Sequence, residues 1–347
     1  MSKPSLEEVF IQLLSTDKAF VFYRLPNKKT VHCYYQMDAL LNSTANLKIR
    51  GFVMSRFDSP LPSVYISNKN ELRFDYDPPN FSRKDVEVSI DSENKKSFIN
   101  TVNETKKAIT SGYLKKLVVA RKITKKGKVD ALKLFTNLLG LYPHAMVYFW
   151  RHPKGETWLG ASPEKLFSIQ SGRLSTMALA GTLPYNPKDQ YHWGDKEKKE
   201  QAWVRKTLQA DLEILFPTQV VHCSDIFTLR AGNLVHLCNE LSVVVQNIDT
   251  KTLLNKLHPT PAVGGIPEEE GMRFLAEHEN LDRAYYTGFL GPIIEENNMD
   301  LFVNLRCAQL IPEGLVLYVG AGIIEDSDPE KEWEETENKA KTLLEAL

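Results

Sequence analysis

The chain has 347 residues, of which 42% are hydrophobic and 25% charged, and its formal net charge is −1. That length allows one large domain or two ordinary ones, with enough apolar content to bury a core without disulfides or metals. The near-zero charge excludes a global field that would recruit nucleic acid or an anionic membrane.

No apolar run approaches the roughly 18 residues that a membrane-spanning helix needs. The N-terminus, Met1-Ser-Lys-Pro-Ser-Leu-Glu-Glu, lacks the apolar segment of a secretion signal. Cys33, Cys223, Cys238 and Cys307 are scattered, with no Cys-x-x-Cys pair. Reduced thiols and a cytoplasmic location are therefore expected. The eight histidines are equally dispersed and form no zinc-binding pattern.

A short helix is expected at about residues 4–15, followed by strand-like runs such as Phe20–Tyr23 and Ser63–Ser67. A polar segment from Asp77 to Lys96 leads into a helix ending near Thr110. Strands then dominate: Lys116–Thr124, Val147–Arg151, Trp158–Ala161, Leu174–Ala180, Ile226–Val245, Leu301–Leu310 and Leu315–Ile324. Further helices are expected at about 130–140, 195–213, 250–257, 267–278 and 329–346. The strands fall in neighbouring groups rather than in strict β–α–β alternation, which predicts an α+β fold with antiparallel sheets.

The stretch from Tyr318 to Lys339 is the most informative. It reads as a buried strand, a glycine turn at Gly320-Ala321-Gly322, and an acidic helix opened by Ser327-Asp328-Pro329. The small residues let a ligand approach the backbone. Proline suits a first helical turn, and Ser327 with Glu330 fits a capping box. Glu332 and Glu335 share one helical face and suit a hard cation such as magnesium, although a solvated acidic face has the same pattern. Glu200, on an amphipathic helix with Glu197 and Val204, offers a third carboxylate to a cation, or merely solvates the helix.

Lys116 begins the apolar run Lys-Leu-Val-Val-Ala-Arg121. Desolvation there would yield a neutral amine, a competent general base; a lysine snorkelling at a strand end is the plainer alternative. Glu164 follows a Ser-Pro turn and suits a general acid in a dry site, or a glutamate in the first turn of a helix. Arg306 interrupts Leu301-Phe-Val-Asn-Leu-Arg-Cys-Ala308, read as one strand, where a guanidinium needs an internal carboxylate or that of a substrate. His236 and His258 fit core positions, and Leu179-Ala-Gly-Thr-Leu-Pro184 offers a second close-approach backbone. The residues together suggest a magnesium enzyme for a small carboxylate substrate.

Eight blocks in order carry a family resemblance: Lys116–Arg121, Gly160–Glu164, Leu179–Thr182, Lys196–Glu200, Leu257–Val263, Arg283–Gly291, Leu305–Ala308 and Gly320–Lys339. In this the sequence resembles the chorismate-utilising enzymes, which include isochorismate, salicylate, anthranilate and aminodeoxychorismate synthases. The resemblance covers about residues 97–347. Residues 1–95 match loosely and are expected to be a variable N-terminal part of a single domain, 1–347.

The resemblance implies two large antiparallel β-sheets packed as a sandwich, with helices outside and the site near one end. It implies magnesium (Mg2+) at Glu200 and Glu335, with Glu332 close by or acting through water, holding the ring carboxylate of chorismate. Lysine at position 116 goes with water as nucleophile, where ammonia-using relatives carry glutamine. Ala262 stands where pyruvate-eliminating relatives tend to carry threonine, which points to isochorismate synthase. In that reading Lys116 activates water at C2 and Glu164 protonates the departing C4 hydroxyl. Arg306 would clamp a substrate carboxylate near Gly320 and Gly322, with Gly181, Thr182, His236, His258 and Lys339 lining the pocket. No glutamine amidotransferase partner is expected, the chain is expected to be a monomer, and the product would feed menaquinone or siderophore biosynthesis.

Overall fold

The computed structural model describes residues 3–78, 92–152, 156–188, 190–246 and 249–347. Helix α1 (Leu6–Leu14), closed by a Ser5/Glu8 capping box, opens the chain. Six strands follow: β1 (Phe20–Arg24), β2 (Thr30–Tyr35), β3 (Asn42–Thr44), β4 (Gly51–Met54), β5 (Ser63–Ser67) and β6 (Glu71–Asp75). Helix α2 (Ser92–Thr110) leads into β7 (Lys116–Lys126) and α3 (Ala131–Leu141). Next come β8 (Met146–Arg151), β9 (Thr157–Ser162), β10 (Lys165–Gln170), β11 (Arg173–Pro184) and α4 (Asp195–Leu215). Strands β12 (His222–Cys223), β13 (Phe227–Ala231) and β14 (Leu234–Val244) precede α5 (Thr250–Leu257), β15 (Gly265–Ile266) and α6 (Glu268–His278). The chain finishes with β16 (Phe289–Glu295), β17 (Asn298–Val303), β18 (Cys307–Ile311), β19 (Gly314–Ile323) and α7 (Pro329–Leu344).

Two antiparallel sheets result. One runs β15-β7-β19-β18-β9-β8-β1-β2-β6; the other runs β12-β14-β11-β10-β17-β16-β4-β5-β3, with β13 paired to β14. The expected α+β sandwich is thus the observed fold. The N-terminal strands are shared out: β1, β2 and β6 complete the first sheet, and β3, β4 and β5 the second.

Period-two burial explains the layers. On β1, Phe20 and Phe22 pack outward against Phe10 of α1 and Phe135 of α3, while Val21 and Tyr23 turn inward toward Phe52 of the opposite sheet. On the second sheet, Leu174 and Ala178 of β11 meet Leu208 and Leu212 of α4. Leu117 and Val119 of β7 pack with Phe98 of α2 and Phe274 of α6. Each such fully buried side chain contributes roughly 1.5–3 kcal/mol of transfer free energy.

Several expected elements are redrawn. The run Ile226–Val245 is a hairpin, β13–β14, turning at Gly232 with φ 67°. The run Leu301–Leu310 is two strands in different sheets, with Arg306 at φ 49° in the crossing between β17 and β18. Gly320–Gly322 lie within β19 rather than in a turn. Helix α7 is capped by Asp328, which accepts from the amides of Glu330 and Lys331; Ser327 instead accepts from the Ile324 amide. Most of the polar segment Asp77–Lys96 lies outside the described residues. Among the described residues no helix is long and apolar enough to cross a membrane.

Candidate active site

Alternation along β7 places Leu117 and Val119 against helices and turns Lys116, Val118 and Ala120 toward the space between the sheets. A cleft occupies that space where β7 and β19 face β11 and β14. Glu164, Arg306 and Lys339 line it, as do the carboxylates Glu200 and Glu335. Gly181, Thr182, Gly320 and Gly322 supply close backbone, and His236 and Ala262 complete this part of the wall.

Lys116 is fully buried directly behind that wall: a Cβ on Gly322 would stand 3.3 Å from its Cε. Its Nζ donates to the Pro261 carbonyl at 2.6 Å and lies 3.4 Å from Glu200 Oε1. Burial pushes this amine below the usual lysine range, against the opposing pull of Glu200 and Glu164. Glu164 sits at the corner between β9 and β10, 2% exposed, and accepts a hydrogen bond from Thr260 Oγ1 at 3.3 Å. Burial pushes its carboxyl up to about 7, although Thr260, Lys116, Lys339 and Arg306 all favour the ionised form. One cause, desolvation, thus moves a base down and an acid up toward neutrality.

Glu200 reaches in from α4. Its Oε2 accepts from the amide of Gly181, which sits at φ 70° in a bulge of β11. A Cβ on Gly322 would stand 2.1 Å from Glu200 Oε1, so glycine is what leaves room for this carboxylate. On α7, Lys339 pairs with Glu335 at 2.7 Å and donates to the Gly320 carbonyl at 2.8 Å. Burial pushes Glu335 up, but Lys339 and Lys196 outweigh it and hold the carboxyl below its ordinary range. Glu332 is fully buried and does not line the cleft. It pairs with Lys196 at 2.5 Å, and burial together with Glu335 pushes it up to about 7.

Among the described residues no group of three or more His, Cys, Asp or Glu is gathered closely enough to hold a metal. The expected trio is instead spread over three lysines, because each carboxylate pairs with its nearest cation. In chemistry the residues still suit a hard divalent cation: the carboxylates of Glu200 and Glu335 both line the cleft, and Glu332 lies outside it with a buried oxygen, Oε2, that lacks a well-formed hydrogen bond.

Arg306 is held by long, neutral contacts. Nη1 lies 3.4 Å from the Lys339 carbonyl and 3.3 Å from Thr342 Oγ1, and Nη2 lies 3.3 Å from His236 Nε2. None of these partners is a carboxylate, which suits a guanidinium that meets an acidic ligand. Burial lowers Arg306 to about 10. Burial, with Arg306 and Lys339, keeps His236 neutral, so its Nδ1–H donates to the Gly181 carbonyl at 3.0 Å.

His258 is a correction. Its Nε2 faces the Thr287 carbonyl at 3.1 Å and its ring packs edge-on to Phe57 and Phe289, away from the cleft. Sequence reasoning also missed Tyr286 and Tyr318, which line the cleft, and Thr260 and Pro261, which touch Glu164 and Lys116. Their one sequence signal was adjacency to residues already singled out.

With this geometry in place, the chain belongs to the chorismate binding enzyme family, whose model matches residues 52–347. It is 33% identical over 257 residues to isochorismate synthase MenF of Escherichia coli, covering 69% of this chain and 58% of that protein. It is 27% identical over 263 residues to anthranilate synthase component 1 of Aquifex aeolicus, covering 73% and 53%. The chain therefore spans little more than half the length of these relatives. A solved structure of the menaquinone-specific isochorismate synthase MenF of Escherichia coli superposes with a TM-score of 0.79 at 22% identity, covering 99% of this chain and 92% of that one.

Proposed function

We propose that this protein is an isochorismate synthase that converts chorismate to isochorismate as a single domain, residues 1–347. The observation that carries the reading is the pairing of a buried lysine pushed down with a buried glutamate pushed up beside one cleft. Lys116, neutral, takes a proton from water as the water oxygen bonds to C2 of the ring. Both ring double bonds shift along the ring and the C4–oxygen bond breaks. Glu164 gives its proton to the departing hydroxyl, which leaves as water. The protein is left with Lys116 protonated and Glu164 ionised, and a proton returns from the first to the second before the next turnover. Arg306 binds a substrate carboxylate, and the backbone near Gly320 and Gly322 admits the ring. A magnesium ion held by Glu200 and Glu335, with Glu332 beside them, would neutralise and orient the ring carboxylate.

The buried Cys33, Cys238 and Cys307 and the exposed Cys223 are all free thiols, which supports a cytoplasmic location. Lys116 in place of glutamine argues for water rather than ammonia, and hence for action without an amidotransferase subunit. The test is incubation of the purified protein with chorismate, with and without magnesium, and chromatography of the products. Magnesium-dependent isochorismate is expected. Salicylate with pyruvate, or anthranilate from ammonia, would replace this reading by that of another synthase, and no turnover would leave a binding module.

A further inference from the structure

After α5 the chain runs through Pro259-Thr260-Pro261-Ala262-Val263. Pro261 restricts Thr260 to an extended conformation, and the Thr260 carbonyl accepts from the amides of Val263 and Gly264 at 3.0 and 2.9 Å. The turn is locked to the strand that carries Lys116 in two ways. Gly265 and Ile266 pair with Leu117 and Lys116. The buried Arg283 donates at once to the carbonyls of Val263 and Val118, at 3.0 and 2.7 Å.

From this braced turn two consecutive residues reach the two groups of opposite function. The Thr260 hydroxyl, 1% exposed as a residue, donates to Glu164 Oε1 at 3.3 Å. The neighbouring Pro261 carbonyl accepts from Lys116 Nζ at 2.6 Å. A neutral carboxyl has one oxygen that accepts and one that carries the proton. A hydroxyl donating to Oε1 makes that atom the accepting oxygen and leaves the proton on Oε2. Without the hydroxyl, rotation of the carboxyl by half a turn exchanges the two.

Resting on the reading of Glu164 as the acid, we propose that Thr260 is a positioning residue that fixes which Glu164 oxygen carries the proton, from the same rigid turn that anchors Lys116. The turn is then one device setting the relative placement of acid and base.

The test compares Thr260→Val and Thr260→Ala, which remove the hydroxyl, with Thr260→Ser, which keeps it, using the 347-residue chain and chorismate. Thermal unfolding reports that each variant is folded. Removal is expected to lower kcat about tenfold or more, with KM within about twofold, since a hydrogen bond to the reacting group is lost while substrate contacts stay. Serine is expected to restore most of the rate. The groups facing Glu164 are Lys116 on β7, Lys339 on α7, Arg306 in the crossing and the Cys238 thiol on β14. All remain in the variants, so loss of the one donor that favours the carboxylate should move the alkaline limb of the pH–rate profile upward. Hydroxyl-free variants with unchanged kcat and pH profile, beside an inactive Glu164→Gln, would overturn the positioning role and leave Glu164 as the acid. A fully active Glu164→Gln would overturn the underlying reading, and the proposal with it.

Discussion

The space between the two sheets has two unlike halves. Toward β1, β2 and β8 on one side and β4, β5 and β16 on the other, it is filled by Val21, Tyr23, Phe52, Ile66, Trp150 and Leu290. Toward β7, β19, β11 and β14 the same gap holds Lys116, Glu164, Glu200, Arg306 and Lys339. Both halves are antiparallel sheet, but the bulge at Gly181, the crossing at Arg306 and the glycines of β19 open the second half to charged side chains. The aromatic half stabilises the sandwich through burial. The charged half costs stability, since buried ionisable groups resist charging.

Four experiments break or sharpen that contrast. The largest effect is expected for Lys116→Met and Glu164→Gln, each lowering kcat for chorismate by roughly 10²–10⁴-fold, measured by isochorismate formation with circular dichroism unchanged. Undiminished turnover in either would erase the functional side of the comparison. In the other half, Trp150→Ala should cost roughly 3–5 kcal/mol in denaturant melts, with kcat per folded molecule close to wild type. A collapse of kcat in that variant would show that the halves are not separable.

Next in size is a stabilisation. Burial raises the Glu164 pKa from 4.5 to about 7. The folded state therefore holds this proton more tightly than the unfolded chain, and stability falls as pH rises from about 4.5 through about 7. Glu164→Gln removes that slope. At pH 8 it should be more stable than wild type by up to about 3 kcal/mol, and parallel pH dependences in urea melts would contradict this. The smallest effect is expected for Gly322→Ala, whose new methyl displaces the flexible end of Glu200. Magnesium affinity, read by calorimetry without substrate, should fall about 10–100-fold while the melting temperature holds.

The sequence showed these halves unevenly. Strand β7 was legible because its apolar run is unbroken, and Lys116 stood out as the one charge at its mouth. The crossing at Arg306 was not legible. No glycine or proline punctuates Leu301–Ala308, so two strands in different sheets read as one. Gly320–Gly322 looked like a turn because glycine usually marks one. Gly322 in fact makes room for Glu200, which stands on a helix far away in sequence. The cap of α7 was readable in principle, since Pro329 in the first turn makes Asp328 the N-cap. His258 was drawn in by the family resemblance alone; its ring packs on Phe57 and Phe289, as its reading as a core histidine allowed.

The sharing-out of the N-terminal strands has a consequence for synthesis. Met54 of β4 pairs with Leu290 of β16, and Val21 of β1 with Trp150 of β8. A ribosome adding about 5–20 residues per second needs about 10 to 50 s to cover the roughly 240 residues between β4 and its partner. During that interval the edge of β4 that pairs with β16 waits in the nascent chain with its hydrogen-bonding groups unmatched, the condition under which strands pair with the wrong neighbour. Slow translation of the middle of the message would lengthen that exposure, so the order in which this fold is made sets how long the edge of β4 stays open.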